Sequence, residues 1–130
     1  YALKAVLELA KAQQRGPISI SEIAKKQDIP PRFLEAILRD LKQAGVLNSV
    51  RGKEGGYLLA KDAGDVSVSE IICLFNDSLI LKNEVEDSSC AFVEVADSAE
   101  GMLKSFFENI SFKKLVERDE KLNFVPEYNI

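Results

Sequence analysis

The stretch SISEIAKKQDIPPRFLEAILRDLKQAGVLNSVRGKEGGYLL, residues 19–59, decides the fold. Its first helix starts at Ser19-Ile20-Ser21-Glu22, where Ser19 can cap the amide of Glu22 and Glu22 can reach back to Ser19. Ile18 and Ile23 flank that start as a hydrophobic staple. Ile20, Ile23 and Ala24 recur at helical spacing, so one side needs a core, while Lys25, Lys26 and Gln27 are solvated. Asp28-Ile29-Pro30-Pro31 breaks the chain, because a residue before proline is pushed out of the helical region. Pro31 suits the first turn of a second helix. From Arg32 to Ala44 the residues Phe33, Leu34, Ile37, Leu38 and Leu41 form a broad apolar stripe, and Gly45 is placed as a left-handed stop. Val46–Val50 then reads as a strand, Gly52–Gly56 as a flexible tip and Tyr57-Leu58-Leu59 as the returning strand. Two helices joined by a tight turn and followed by a Gly-rich hairpin make a winged helix-turn-helix.

The face of the second helix opposite its stripe carries Arg32, Glu35, Ala36, Arg39 and Gln43. A major-groove reader needs this mixture on a rigid rod: Arg suits guanine, and a carboxylate accepts from the cytosine amino group. A merely solvated helix face looks the same, and the hairpin is what separates the two readings. A tip bearing Arg51 and Lys53 between Gly52, Gly55 and Gly56 can follow a phosphate backbone or insert Arg51 into a narrow minor groove. Glu54 works against that contact. The segment lacks the Gly-Lys-Ser/Thr ending of a nucleotide phosphate cradle.

Charge is divided along the chain. Residues 1–61 hold eleven Lys and Arg against six Asp and Glu, whereas residues 62–130 hold six against fifteen. A net charge of −4 therefore does not argue against nucleic acid, since binding follows the local potential at the contact face. With 130 residues, 46% of them apolar, the chain can bury a real core. No apolar run reaches the roughly 20 residues of a membrane span and no secretory leader is visible, so a cytoplasmic protein that avoids the membrane is expected. The absence of an initiator Met is read as residues missing upstream of Tyr1.

The expected organisation is mainly α with a small β-hairpin wing: a DNA-binding module over 1–62, a connecting helix and sensor-like loop over 63–96, and a dimerisation helix with C-terminal segment over 97–130. Tyr1 to Gln13 supplies the first helix, with Leu3, Val6, Leu7 and Ala10 on one side. Val66 to Ile71 repeats the cap-and-staple grammar of Ile18 to Ile23 and launches a helix through Ile72, Leu74 and Phe75. Residues 76–95 read as an irregular connection. A long helix starts at about Asp97, whose spacing to Glu100 resembles a capping box, and Met102, Leu103, Phe106, Phe107 and Ile110 form its stripe. Packing two copies antiparallel would bury that stripe and give the twofold symmetry that reads palindromic half-sites. The competing expectation is that Phe106 and Phe107 cover the protomer's own core.

Tyr1-Ala2-Leu3, Ile23-Ala24, Ile29-Pro30, Phe33-Leu34-Glu35, Ile37-Leu38, Leu41-Lys42-x-Ala44-Gly45-Val46-Leu47, Ser49-Val50-Arg51-Gly52 and Gly55-Gly56-Tyr57-x-Leu59-Ala60 together resemble the Rrf2 family of bacterial transcription regulators. The likeness is strong over residues 1–77 and continues weakly through Asn109-Ile110-Ser111-Phe112-x-x-Leu115-Val116. It implies a homodimer with one recognition helix and one wing per protomer. It also implies that Arg32, Phe33 and Glu35 begin the DNA-contacting helix and that Arg51 lies near the minor groove. Two departures stand out: several members carry a smaller polar residue in place of Arg32, and a third glycine is frequent in place of Glu54.

Iron–sulfur members resemble one another in three closely spaced cysteines before the dimerisation helix, because thiolates hold such clusters. Here that loop has only Cys90, with Ala96 where a second ligand would be expected and no His in the chain. A three-cysteine cluster within one protomer is excluded; a cluster shared across a dimer would need two Cys90 and other ligands. The chain is thus read as a cluster-free or cysteine-depleted member, with no cofactor expected. Cys90 is the candidate redox or ligand residue, through oxidation or an intersubunit disulfide, although Glu86, Asp87 and Glu94 disfavour its thiolate. Cys73 reads as an inert core residue.

The leading reading is a homodimeric repressor that binds a palindromic operator in double-stranded DNA and answers to a metabolic enzyme or a small-molecule effector. Its DNA-contacting set is Arg32, Phe33, Glu35, Ala36, Arg39, Arg51, Lys53, Gly55, Gly56 and Tyr57. The alternative is a protein-interaction module that kept the winged fold and lost operator binding. No nucleophile–base pair or metal constellation emerges, so enzymatic activity is not expected.

Overall fold

The structure, a computed structural model, describes residues 1–76 and 91–124. In order these form α1 (Ala2–Lys11), α2 (Ile20–Gln27), α3 (Pro31–Gln43), β1 (Leu47–Val50), β2 (Gly56–Leu59), a single 3-10 turn (Ala63–Asp65), α4 (Val68–Phe75), α5 (Ala91–Glu108) and α6 (Phe112–Leu122). The described residues divide into two compact units, one of residues 1–66 with 111–124 and one of residues 67–76 with 91–110.

The first unit is the winged helix-turn-helix. Ser19 Oγ accepts the Glu22 amide at 3.2 Å, and the staple residues Ile18 and Ile23 are both buried. The other half of the expected capping box does not form, because the Glu22 carboxylate turns instead to Arg15 and Lys26. Asp28 adopts a left-handed conformation at φ 52° and closes α2, an uncommon backbone for a residue other than glycine. Pro31 opens α3 as expected, and Gly45 at φ 81° ends it. Leu34, Leu38 and Leu41 form the fully buried line of α3. Phe33 was expected in that stripe and lies outside it, 57% exposed. It sits one residue before the buried line, about 100° around the helix, where a side chain can turn to either side.

The buried side of α1 keeps Val6 and Ala10 of the expected stripe but is shifted toward Ala5 and Leu9. Ala5, Val6, Leu9, Ala10 and Ala12 are buried while Leu3 is exposed. Small alanines let α1 pack closely against its neighbours, which override a preference set by side-chain size alone. The buried acid Glu8 accepts from Gln27 Nε2 on α2 and pairs with Lys11, which in turn pairs with Asp119 of α6. Gln13 ties down the chain after the wing: its amide nitrogen donates to the Lys61 carbonyl and its amide oxygen accepts from Ala63 N–H, both at 3.0 Å.

The C-terminal segment holds a further helix that its sequence pattern did not announce. Ser111 caps a separate helix by accepting from Lys114 N–H at 3.2 Å. That helix, α6, packs on α1, and Phe112 at its start is completely buried.

In the second unit, Ser67 caps α4 by accepting from Glu70 N–H at 3.1 Å, as its sequence grammar implied. α5 begins at Ala91, not at Asp97, so Asp97 and Glu100 lie within the helix and do not form its start. An i, i+3 acidic pair fits a solvated helix face as well as a cap, and Phe92, Val95 and Ala99 extend the apolar stripe back from Met102 by nearly three turns. Cys73 is exposed on α4, contrary to its expected burial, with its thiol 3.8 Å from Ser69 Oγ. Cys90, the candidate redox or ligand residue, lies outside the described residues.

Candidate nucleic-acid interface

The wing is a two-stranded antiparallel ribbon in which Leu47 pairs with Leu59, Asn48 with Leu58, Ser49 with Tyr57 and Val50 with Gly56. Leu47 and Leu59 anchor its base in the core, and the solvent-facing tip carries Arg51, Gly52, Lys53 and Glu54. Ile18 adds a short rung on the other edge: its N–H donates to the Tyr57 carbonyl at 2.9 Å and its carbonyl accepts from Tyr57 N–H at 2.8 Å. The wing is thereby fastened to the residue preceding the α2 cap.

That fastening explains Gly56, and the hairpin's own turn explains Gly55, both placed in the DNA-contacting set. A Cβ on Gly56 would lie 2.0 Å from the Ile18 carbonyl oxygen, and one on Gly55 would lie 2.3 Å from the Val50 carbonyl oxygen. Both sites exclude any side chain on steric grounds. Tyr57 is half-buried, and its backbone holds the ribbon together.

On α3, Arg32, Phe33, Glu35, Ala36 and Arg39 are all exposed. Arg32, Arg39, Arg51 and Lys53 have no ion-pair partner among the described residues. Three other basic residues of the winged unit are paired. Arg15 and Lys26 both converge on Glu22, at 3.0 and 3.2 Å, and Lys11 lies between Glu8 and Asp119. The Arg15 guanidinium, followed by Lys26, holds the Glu22 carboxyl below its ordinary range. The hydrogen bond to Asp119 leads the effects that raise Lys11, with desolvation opposing it. Arg32, Arg39, Arg51 and Lys53 keep their donors available, as Lys4 on α1 and Lys25 on α2 also do. Such donors suit phosphate oxygens and guanine edges.

The backbone at the start of α3 is set by the double proline. Pro30 offers no side-chain cap, and its carbonyl accepts from the N–H groups of Phe33 and Leu34 at 3.1 and 3.2 Å. The Phe33 ring stands 6.3 Å from that of Tyr1, tilted by 32°. Periodicity missed this pair, because Tyr1 and Phe33 meet only through the packing of α1 against α3.

The Rrf2 family model, described as an iron-dependent transcriptional regulator, matches residues 1–118. The chain belongs to the Rrf2 family. Its winged helix-turn-helix is thus the DNA-binding fold of a family of transcriptional regulators, and these are not enzymes. The HTH-type transcriptional regulator IscR of Xenorhabdus nematophila is 32% identical over 135 residues, covering 95% of this chain and 79% of that protein. A Rhodobacter capsulatus HTH-type regulator described as rrf2-like is 53% identical over 75 residues, a match covering 55% of this chain and 50% of that relative. Among solved structures, T. potens IscR superposes with a TM-score of 0.84 at 25% identity, covering 98% of this chain and 89% of that one.

The iron dependence in the family description meets a poor donor set here. The Rrf2 chain has two cysteines and no histidine, and Cys73 stands alone on α4. These residues do not fit a cluster held by three thiolates of a single chain. Among the described residues, no helix is long and apolar enough to cross a membrane.

Proposed function

We propose that this Rrf2 protein is a cytoplasmic, homodimeric repressor that reads a palindromic operator, with α3 in the major groove and the wing tip on the neighbouring backbone or minor groove. The observation that carries the reading is the set of unpaired cations, Arg32 and Arg39 on α3 and Arg51 and Lys53 on the wing. Glu35 supplies an acceptor for cytosine, and Ala36 leaves room for the groove floor. Dimerisation falls to α5. Phe92, Val95, Ala99, Met102 and Phe106 follow one another at alternating spacings of three and four, the a/d pattern of a helix seam. Phe92, Met102 and Phe106 are 74%, 75% and 62% exposed within the protomer. Leu103, Phe107 and Ile110 border the same stripe.

The test is a binding titration on a palindrome selected from random duplex DNA, repeated across salt concentrations for the wild type and Arg51→Ala. A sequence-specific binder loses affinity steeply with salt, by about 0.9 logarithmic units per logarithmic unit of salt for each phosphate contacted. Arg51→Ala is expected to weaken binding by about 1–3 kcal/mol. A flat salt response without sequence preference would leave the winged fold as a protein-interaction module, the role that the exposed Glu54 and the acidic second half would favour. Unchanged affinity in Arg51→Ala would remove the wing from the interface.

A further inference from the structure

We propose that Phe33, held in place by Tyr1, is a specificity-determining residue that reads the 5-methyl group of a thymine in the major groove. The inference rests on the DNA-binding reading above and adds what one position of the operator must contain.

Phe33 occupies the first turn of α3, the part of a recognition helix that reaches base edges. It is the only aromatic residue on this helix, and more than half of its surface is open to water although Leu34, beside it, is fully buried. Ala36, one turn later on the exposed side, has a side chain of a single methyl. Phe33 and Ala36 therefore make an apolar spot bordered by Arg32, Glu35 and Arg39. A spot with neither donor nor acceptor cannot answer a hydrogen-bonding base edge. The thymine methyl is the one apolar group that the major groove displays, and phenylalanine and alanine both suit it.

An exposed ring on a mobile side chain would read nothing well. Here the backbone of Phe33 is fixed by its bond to the Pro30 carbonyl, and Tyr1 lies against the ring at 6.3 Å, within the range of aromatic pairs. Tyr1 is itself 55% exposed, so the contact does not belong to the core. It restricts where the Phe33 ring can go, which lowers the ordering cost of binding. Tyr1 is thus a positioning residue: its ring is needed and its hydroxyl is not.

The experiment uses the full chain and the operator selected from random duplex DNA. Thymines are replaced one at a time by deoxyuridine, which removes only the methyl. For the wild type, one symmetric position should lose about fourfold in affinity per methyl, the worth of one buried methylene-sized group. Phe33→Ala should bind the thymine and uracil operators equally. Tyr1→Ala should reduce the thymine-over-uracil ratio, and Tyr1→Phe should restore it, a pattern that a purely structural role for Tyr1 would not produce. A wild type indifferent to uracil at every position would overturn the inference while leaving the DNA-binding reading intact. Failure to select any operator would instead refute the underlying reading. A uracil-sensitive position that persists in Phe33→Ala would assign the methyl contact to another residue and overturn the proposal.

Discussion

The winged unit and α5 use apolar residues in opposite ways. In the winged unit, Leu34, Leu38 and Leu41 of α3, Val6 and Leu9 of α1, Ile18, Ile23, Leu47 and the returning Phe112 are all buried within the chain. α5 runs for 18 residues without one buried side chain. One region completes its core by itself, and the other holds its largest apolar side chains out to solvent. Burial of a phenylalanine gains about 1.5–3 kcal/mol, so a helix presenting Phe92, Met102 and Phe106 to water forgoes a large stabilisation unless a second surface covers them. The contrast separates a DNA-binding unit with a closed core from the helix to which we assign dimerisation.

Substitutions on either side can break that contrast. Leu38→Ala should cost about 2–5 kcal/mol in chemical denaturation, because it opens a cavity in a closed core; a loss well below 1 kcal/mol would mean that the α3 core is not tightly packed. Phe106→Asp should leave that unfolding transition nearly unchanged and yield monomers in sedimentation. A dimer that survives the charge would place the seam elsewhere, and a collapse in stability would return Phe106 to the protomer core. Ser19→Ala should destabilise the winged unit by about 1 kcal/mol through loss of the α2 cap, with no effect on association. The smallest change concerns pH. Because Arg15 and Lys26 lower the folded-state pKa of Glu22, its contribution is complete above the ordinary glutamate range and disappears as pH falls through the depressed value. Glu22→Gln should accordingly flatten a slight acid-side loss of stability measured by thermal melts at several pH values. Lys11 has the opposite sign: its raised pKa keeps its contribution through neutral pH and gives it up only in strong alkali, a component that Asp119→Asn should remove.

Much of the reading head was legible in the sequence because its signals are local. Ser19 announces a helix start through its own hydroxyl, Pro31 fixes a first turn, and Gly45 takes a backbone that other residues avoid; Ser67 does the same as Ser19 in the second unit. The Gly-rich pattern placed Arg51 and Lys53 on an exposed hairpin tip, where they lie. What escaped depends on contacts between distant segments. The reason for Gly56 is the Ile18 carbonyl, 38 positions away, and the exposure of Phe33 is decided by how α1 packs, not by the period of α3. α6 was missed because Ser111 has no acidic partner three residues on and the helix buries only Phe112 in a largely charged sequence. The early start of α5 was hidden by Asp97 and Glu100, whose spacing imitates a cap.

The most direct measurement is the mass of the protein–DNA complex by sedimentation equilibrium, with the selected full palindrome and with one half-site, for the wild type and Phe106→Asp. Two chains are expected on the full palindrome, with markedly weaker binding of Phe106→Asp and each monomer still able to occupy a half-site. A single chain on the full palindrome, bound equally well with or without the α5 charge, would contradict a twofold reader assembled through α5.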